Sequence, residues 1–489
     1  CFTRKKYVNR VGGNRKAHLS LCGAGAGRVS RSGKELRFMD MEKKDTMGRA
    51  AIVSLFDEGT FVEMGAFVRR QGETYDAVLC GYGAVGGKLT FAFAQDADRQ
   101  KGAFDAVGAA KIARLYEQAV RTGAPVVGVL NSAGAVVTDG AGALSAYGQL
   151  MKCVSDASGI IPQIALVEGV CGGMAAVAAG LFDFTVTVKD RSELFVNPPF
   201  NVGGETGTTA YAAANGLSAL TAESQDAAVA AVRTLVGLLP RNNADSADTD
   251  PADAPDRPVS PAGRTGAALV TELADAGSFT ELYAACGQEL TVGLCRMGGM
   301  TVGVVAGNGA ADEGRLTAAG AAKAARLVNF CDAFSLPVLT LVDNAGLAMR
   351  ADSALAGALG KLASAYAGAT CPKVTAVTGK AYGAAFTLLG SRALGADLTL
   401  ALPDAVVSVM DPAAAVAFLR NGDVTAKTPR ASVEAAWTAE NLADAAAAGG
   451  DIDDVIPAEE LRARLCAAFY MLSDKASGTP DRKHGVLPL

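Results

Sequence analysis

The chain has 489 residues, half of them hydrophobic, and a formal net charge of −5. This length allows two to four domains, and the acidic balance argues against a nucleic-acid partner. Only two histidines occur, His18 and His484, and both lie in terminal segments. Most catalytic triads, histidine metal sites and histidine general bases are therefore excluded from the body of the chain, and we predict no metal site.

The two ends of the chain differ from its body. Residues 1–38 are basic and lack a regular pattern, and we predict a non-native or disordered tail, with the native start at Met39 or Met41. Residues 471–489 form a second, polar tail. Ten cysteines without a CxxC pair, and no apolar run of about 18 residues, indicate reduced thiols in a cytoplasmic protein.

A long internal repeat divides the body of the chain. Residues 108–134 reappear at 320–346, residues 57–64 at 275–282, and residues 167–176 at 377–386. The repeat is too long for a solenoid, so each copy is predicted to be a whole domain. The predicted domains are 39–240 and 264–470. Residues 241–263, with five aspartates and four prolines, are predicted to be a linker.

Each copy is predicted to contain three buried strands and one long helix in the same order. The strands are predicted at 88–96, 125–132 and 162–169 in the first copy, and at 300–308, 337–344 and 372–379 in the second. The helices are predicted at 105–121 and 317–334. Successive strand–turn–helix units predict an α/β fold.

Three glycine-containing turns recur in register between the copies. They pair Gly102 with Gly314, Gly134 with Gly346, and Gly173 with Gly383. Backbone N–H groups at strand-to-helix turns point beyond the helix, and two that converge form an oxyanion hole without any side chain. Single turn glycines are usually structural, and the matched positions leave the two interpretations evenly balanced. One hole in each copy indicates that two chemically similar species are held.

Five segments carry a family resemblance. They are SGIIPQIALVEGVCGG (158–173), FTVTVKDRSELF (184–195), FCDAFSLPVLTLVDNAG (330–346), ATCPKVTAVTGKAYGAAF (369–386) and the final KHGVLPL. The chain resembles the carboxyltransferase subunits of biotin-dependent acyl-CoA carboxylases and decarboxylases, of the propionyl-CoA carboxylase beta and methylmalonyl-CoA decarboxylase alpha type. The resemblance implies two tandem crotonase-like domains of ββα superhelical turns. It also implies a homo-oligomer built from dimers, up to a hexamer, with each active site between the first domain of one subunit and the second domain of another.

The implied mechanism needs no histidine. Carboxybiotin on a separate carrier protein releases CO2, the biotin ureido anion takes the α-proton of an acyl-CoA, and the enolate attacks CO2. Two oxyanions develop, so two holes are expected. The implied partners are a biotin carboxyl carrier protein and either a biotin carboxylase or a membrane decarboxylase subunit, to which the chain would be peripheral. Within these 489 residues no AMKM-like biotinylation segment and no P-loop occur.

The resemblance also implies roles for individual residues. The hole for the thioester oxygen is assigned to Gly102, Gly173 and Met174. The hole for the ureido oxygen is assigned to Gly314, Gly383, Ala384 and Ala385. Cofactor binding is assigned to Gly134, Gly346, Lys111 and Arg114. For the two basic residues, which would meet CoA phosphates, a solvated or salt-bridged helix face is the competing interpretation.

The sequence departs from the family pattern near the first site. Residues 100–106 replace FGGSLGE, residues 131–140 replace DSGGARIQEG, and Met174 and Ala384 stand where the family has glycine. Backbone donors survive these changes, but the acyl pocket must differ. The alternative function is therefore a crotonase-like CoA-binding subunit with a different or lost activity. A crotonase-type hydratase, isomerase or peptidase is a further alternative, although the peptidase needs histidine.

Overall fold

A computed structural model describes residues 46–69, 76–251, 253–476 and 486. The predicted tail 1–38 lies outside these residues, as do residues 477–485 and 487–489 of the predicted tail 471–489. Within the described ranges, no helix combines the length and apolarity needed to cross a bilayer.

The first half of the chain folds around one mixed sheet. Among the described residues its strands are β1 (Val62–Met64), β2 (Val78–Val85), β3 (Lys88–Gln95), β4 (Val126–Ser132), β5 (Gln163–Gly172), β6 (Phe184–Val188), β7 (Glu193–Phe195) and β8 (Leu220–Ala222). Their order is β1-β2-β3-β4-β5-β6-β8, and β7 pairs with β5. The pairs β1–β2 and β2–β3 are antiparallel, and the later pairs are parallel.

Helices alternate with these strands. They are α1 (Met47–Ser54), α2 (Ala106–Thr122), α3 (Ala141–Ala157), α4 (Met174–Ala179), α5 (Pro199–Val202), α6 (Thr209–Ala214) and α7 (Gln225–Leu238). The strands predicted in the first copy are confirmed as β3, β4 and β5, and its predicted helix is confirmed as α2, with small differences at the ends.

The second half repeats this architecture. Its described strands are β9 (Thr280–Leu282), β10 (Leu290–Met297), β11 (Met300–Gly307), β12 (Val338–Asn344), β13 (Lys373–Tyr382), β14 (Leu398–Ala401), β15 (Val406–Ser408) and β16 (Asp454–Val455). Their order is β16-β14-β13-β12-β11-β10-β9, and β15 pairs with β13. Again the two pairs among β9, β10 and β11 are antiparallel, and the later pairs are parallel.

The helices of the second half correspond in the same way. They are α8 (Gly266–Leu273), α9 (Ala318–Ala333), α10 (Leu355–Gly368), α11 (Ala384–Leu388), α12 (Pro412–Leu419), α13 (Arg430–Glu440), α14 (Ala443–Ala448) and α15 (Leu461–Met471). The elements predicted in the second copy are confirmed as β11, β12, β13 and α9. We call residues 46–240 the first module and residues 264–476 the second module.

Local sequence explains why α2 forms where it does. The carboxylate of Asp105 accepts hydrogen bonds from two amides of the first turn, which have no carbonyl partner inside the helix. Ile112, Leu115 and Ala119 recur every three or four positions, and they are buried in one core with β2 and β3. Gly123 ends the helix at φ 61°, a left-handed conformation that glycine adopts without strain.

The two sheets share an irregularity at the same place. In the first module the parallel register of β4 and β5 shifts between Leu130 and Ser132. In the second module the register of β12 and β13 shifts between Val342 and Asn344. Both shifts lie at the carboxyl ends of parallel strands, where open α/β sheets place their ligand sites. The duplication therefore extends to local geometry beside the predicted turns.

The two modules pack directly against each other. One hydrophobic core contains residues of both sheets. Within it, the ring of Phe184 meets the ring of Phe330 edge-on, with centroids 4.7 Å apart. The guanidinium of Arg326 donates hydrogen bonds to the carbonyl oxygens of Phe182 and Asp183. The contact combines buried apolar area with backbone hydrogen bonds.

The later part of the segment that joins the modules packs against the second module. The N–H of Asp250 donates to the carbonyl of Gly299 at 3.0 Å, and the carbonyl of Ala254 accepts from the buried guanidinium of Arg462. Val259 is buried in the core of the second module. Residues of the predicted linker 241–263 therefore make hydrogen bonds and core contacts with the second module, despite the polar composition of the segment.

Candidate active site

Each module contains a left-handed turn just before its long helix. Residues Gln100–Gly102, ahead of α2, have φ between 50° and 68°. Residues Asp312–Gly314, ahead of α9, have φ between 47° and 69°. Three successive positive φ values are unusual, because each L residue in this region costs about 1–2 kcal/mol. Strain of this kind, repeated at one place in both modules, is typical of functional sites.

Neighbouring strand ends hold these turns in place. The carbonyl of Lys101 accepts from the N–H of Ala133 at 2.9 Å, and the carbonyl of Glu313 accepts from Ala345 at 3.0 Å. The carbonyls of Gly134 and Gly346, at φ 110° and 105°, each accept a hydrogen bond from the segment after the turn. Gly134 and Gly346, to which the resemblance assigns cofactor binding, therefore lie beside the turns, and their backbones anchor the following segments.

The last residue of each turn must be glycine for a steric reason. A Cβ added to Gly102 would lie 2.1 Å from the carbonyl oxygen of Asn131, and one added to Gly314 would lie 2.4 Å from that of Asp343. These oxygens belong to the ends of the central strands β4 and β12, which cannot move independently of the sheets.

Replacing Gly102 with alanine should disturb the turn. We expect the activity that the resemblance implies to fall at least about tenfold, and the free energy of unfolding to fall by about 1–3 kcal/mol, because of the clash and the positive φ. Urea unfolding and steady-state rates measure both. Gly148→Ala in α3 is the matched control, because no atom lies within 4 Å of the new Cβ, and it should stabilise by about 0.5–1 kcal/mol. A Gly102→Ala protein with the control's behaviour would refute the steric argument.

A second turn in each module leads into a short helix, from β5 in the first module and from β13 in the second. Gly173 (φ 62°, ψ −126°) joins β5 to α4, and Gly383 (φ 57°, ψ −132°) joins β13 to α11. Residues other than glycine adopt this combination rarely. The glycines therefore allow the chain to reverse sharply, so that each helix begins at the end of its strand.

The structure corrects one part of the sequence prediction. The N–H of Gly173 donates to the carbonyl of Phe195 at 2.9 Å, and the N–H of Gly383 donates to Ser408 at 2.8 Å. The N–H groups of Gly102 and Gly314 likewise donate within their own turns, to the carbonyls three residues earlier, at 2.9 Å. The expectation that these four amides are hydrogen-bond donors to a ligand is wrong, because each already has a backbone acceptor.

The available donors are the amides that follow Gly173 and Gly383. Met174 is the first residue of α4, and Ala384 and Ala385 are the first residues of α11. Amides of a first helical turn have no carbonyl partner within the helix, and the helix dipole adds positive potential there. No side chain caps either helix through a hydrogen bond. Each module therefore presents an uncapped group of amides, which is suited to an oxyanion.

The acidic and thiol groups near these turns serve structural roles. Asp343 accepts from the N–H of Lys380 and the hydroxyl of Thr265, both at 3.0 Å. The ammonium of Lys380 lies 2.6 Å from the carboxylate of Glu313 and lowers the pKa of that carboxyl. Burial raises the pKa of the Cys171 thiol to about 12, so it is not a nucleophile near neutral pH. Cys171 is therefore a small buried thiol of the core.

Each module also exposes large apolar side chains, and sequence analysis missed them. In the first module Val137 and Phe200 are 89% and 86% exposed. In the second module Met349 and Phe418 are 83% and 81% exposed. Groups of exposed apolar residues mark surfaces that bind ligands or other chains. One signal was present in the sequence, since Val137 and Met349 occupy equivalent positions of the repeat.

The two basic residues of α2 that were predicted to bind a cofactor have different surroundings. The ammonium of Lys111 donates to the carbonyl of Val78 and lies 3.4 Å from the carboxylate of Asp76, with its side chain 9% exposed. Lys111 thus belongs to a salt-bridged helix face, the competing interpretation. Arg114 is exposed and lines a cavity of about 990 Å³. Among the described residues, no cluster of three or more His, Cys, Asp or Glu side chains could hold a metal ion.

The fold and the paired amide turns define a crotonase-like protein with two modules. A family model described as the carboxyl transferase domain matches residues 41–487, and the chain belongs to this family. The chain is 35% identical to the propionyl-CoA carboxylase beta chain of Saccharopolyspora erythraea, over 90% of each chain. It is 33% identical to the methylmalonyl-CoA decarboxylase subunit alpha of Propionigenium modestum, over 92% of this chain and 95% of the relative.

A solved structure agrees with these relatives. Transcarboxylase 12S, determined as a hexamer with methylmalonyl-coenzyme A and methylmalonic acid bound, matches with a TM-score of 0.83 and 30% identity, over 90% of this chain and 92% of that chain. The predicted family, the two-module α/β fold and the enzyme class are confirmed. The activity of the chain is carboxyl transfer.

Proposed function

We propose that the chain transfers a carboxyl group between biotin on a separate carrier protein and the α-carbon of a short acyl-CoA. Propionyl-CoA and methylmalonyl-CoA represent the substrate class, by analogy with the similar proteins. The observation that carries the proposal is the pair of uncapped helix starts, Met174 in one module and Ala384 in the other. Two equivalent donor sites fit a reaction in which negative charge develops on two oxygens.

The two sites have separate tasks. The amide of Met174 donates to the thioester oxygen and stabilises the enolate form of the acyl group. The amides of Ala384 and Ala385 donate to the ureido oxygen of biotin. Carboxybiotin supplies CO2 and, in its ureido nitrogen, the base that takes the α-proton. Because the chain itself supplies only amides and apolar walls, a histidine-free site is sufficient.

The exposed apolar residues supply the walls. Phe200 and Val202 lie on α5, which follows β7, and Phe418 and Leu419 lie on the corresponding helix α12 after β15. A hydrophobic enclosure strengthens hydrogen bonds to an oxyanion by excluding water. We propose that each wall is completed by another copy, so that the first module of one subunit faces the second module of another. The assembly is a homo-oligomer built from such dimers.

The partners follow from the chemistry. A biotin carboxyl carrier protein brings the biotin, and either a biotin carboxylase or a membrane decarboxylase subunit completes the cycle. In the second case the chain is peripheral to a membrane complex.

Decarboxylation of malonyl-CoA or methylmalonyl-CoA in the presence of free biotin or a biotinylated carrier tests the proposal. We expect CO2 release that depends on biotin and saturates with the acyl-CoA. Comparing the rates with acyl-CoA substrates of increasing chain length tests whether Met174, which replaces a family glycine, changes the size of the acyl pocket. Tight CoA binding without turnover under all these conditions would contradict the proposal and favour a CoA-binding subunit.

A further inference from the structure

Lys101 places a positive charge in the left-handed turn ahead of α2. It is the central residue of Gln100–Gly102, with φ 54°, and it is exposed. Its ammonium makes no hydrogen bond or ion pair with any residue that the structure describes. Lys101 stands at the first glycine of the FGGSLGE pattern, and glycine would adopt this φ without strain. A lysine that is kept at a strained position indicates a task for its side chain.

The second module shows what a charged side chain at this place can reach. Glu313, at φ 51°, is the counterpart of Lys101 in the repeat. Its carboxylate lies 2.6 Å from the ammonium of Lys380 on β13, shortly before Gly383. A side chain of the turn therefore reaches the strand end that leads into the amides of α11. Since lysine has a longer side chain than glutamate, Lys101 can reach the corresponding end of β5.

The same connections surround the two turns. Both turns are hydrogen-bonded to the segments that follow β4 and β12. These strands pair in parallel with β5 and β13, so that Ser132 lies opposite Cys171 and Asn344 lies opposite Ala381. The helices α4 and α11 begin shortly after those positions. The turn, the strand end and the helix start thus have equivalent neighbours in both modules, and Lys101 belongs to the same site as the first amide of α4.

The two modules differ in charge at this site. Val170 is the counterpart of Lys380, and Asn131 is the counterpart of Asp343. The second module therefore holds its charged turn in an ion pair, whereas the corresponding positions around Lys101 are neutral. Beside a partly apolar strand end, an ammonium attracts an anion more strongly than it does in water. The described chain supplies no carboxylate to Lys101, which leaves a bound ligand as the source of an anion.

We propose that Lys101 determines substrate specificity by binding a carboxylate at the far end of the acyl group, so that the preferred substrates are acyl-CoA esters of short dicarboxylic acids. This inference rests on the proposed function. The amide of Met174 donates to the thioester oxygen, while the ammonium of Lys101 donates to the distal carboxylate. Holding the acyl group at both ends orients the α-carbon between them for transfer of its proton and of the carboxyl group.

The carboxyl group that is transferred is a different group, and it is not the ligand of Lys101. It leaves the α-carbon toward biotin at the second module. A cation that held it would stabilise the bound substrate more than the transition state, in which negative charge moves to the thioester oxygen. The distal carboxylate takes no part in the making or breaking of bonds, so Lys101 can bind it without this penalty.

Calorimetric titration of the full-length protein tests the proposal without turnover. Glutaryl-CoA and pentanoyl-CoA have the same number of acyl carbons and differ by the terminal carboxylate. We expect the parent to bind glutaryl-CoA roughly tenfold more tightly, as expected for one hydrogen bond to a charged group. Lys101→Met should abolish this preference and leave the affinity for pentanoyl-CoA unchanged. Lys101→Arg should retain the preference, because it keeps the charge.

Lys152→Met is the matched control. Lys152 lies on α3 of the same module, its side chain is 73% exposed, and it pairs with Asp156. This variant should keep the preference for glutaryl-CoA. Biotin-dependent decarboxylation of malonyl-CoA by the parent tests the proposed function separately. A parent that turns over malonyl-CoA but binds the two esters equally would overturn the role of Lys101 and leave the proposed function standing.

Three other results would also overturn the role of Lys101. If Lys101→Met lost affinity equally for both esters, Lys101 would bind a phosphate of CoA. If the variant lost affinity for malonyl-CoA but kept its preference for glutaryl-CoA, Lys101 would bind the α-carboxylate. A parent that binds no acyl-CoA at all would overturn this role and the proposed function together.

Discussion

Replacing Ala384 with proline should reduce carboxyl transfer by about 10²–10³-fold, the usual effect of removing one oxyanion-hole donor. Ala384 is the first residue of α11, where proline fits the helix and only the N–H is lost. The preceding Gly383 has no Cβ to clash with the proline ring. Initial rates of biotin-dependent decarboxylation measure the effect.

Ala384→Gly is the matched control, because it restores the family residue and keeps the N–H. It should retain activity within a few-fold of the parent. Met174→Pro is expected to show the same loss at the first site, with Met174→Leu as its control. Folded proline variants, judged by circular dichroism and thermal unfolding, that turn over at the parent's rate would refute the assignment of these amides.

Replacing Arg462 with alanine should lower the free energy of unfolding by about 3–5 kcal/mol. The side chain of Arg462 on α15 is fully buried. Its guanidinium donates to the carbonyls of Ala254 and Leu273 and lies 2.7 Å from the carboxylate of Asp275. Alanine would leave a buried carboxylate and two carbonyls without this donor. Urea unfolding followed by fluorescence measures the change.

Arg464 on the same helix provides the control. Its guanidinium pairs with Asp454, and both side chains are nearly half exposed. Arg464→Ala should change the free energy of unfolding by less than about 1 kcal/mol, because water replaces the ion pair. If Arg462→Ala unfolds at the same urea concentration as Arg464→Ala, Arg462 does not anchor residues 250–263 to the second module.

The sequence could predict the central elements of the fold because their signals are local. Buried strands such as β4 and β12 appear as short apolar runs, and α2 shows a cap, an apolar period and a terminal glycine. The short strands β7 and β15 gave no comparable signal. They are three residues long, and pairing with β5 and β13 stabilises them more than their own composition does.

The sequence predicted the turns of the candidate site, but it did not separate the available amides from those that already have backbone acceptors. The repeat and the resemblance led to Gly173, Met174, Gly383 and Ala384, which the structure places at two equivalent helix starts. The sequence could not show which of these amides is available. The N–H groups of Gly173 and Gly383 donate to the carbonyls of Phe195 and Ser408. Those residues follow more than twenty positions later, and only the folded sheet brings them to the turns.

By itself the sequence determined the duplication, the α/β class, the near absence of histidine and the glycine turns, because these depend on composition and short-range pattern. Only the tertiary structure decided which amides have backbone acceptors, that Lys111 pairs with Asp76, and that Arg114 lines an open cavity. Whether a polar group is available depends on every neighbour that competes for it. Those neighbours are set by packing between elements that are distant in the chain.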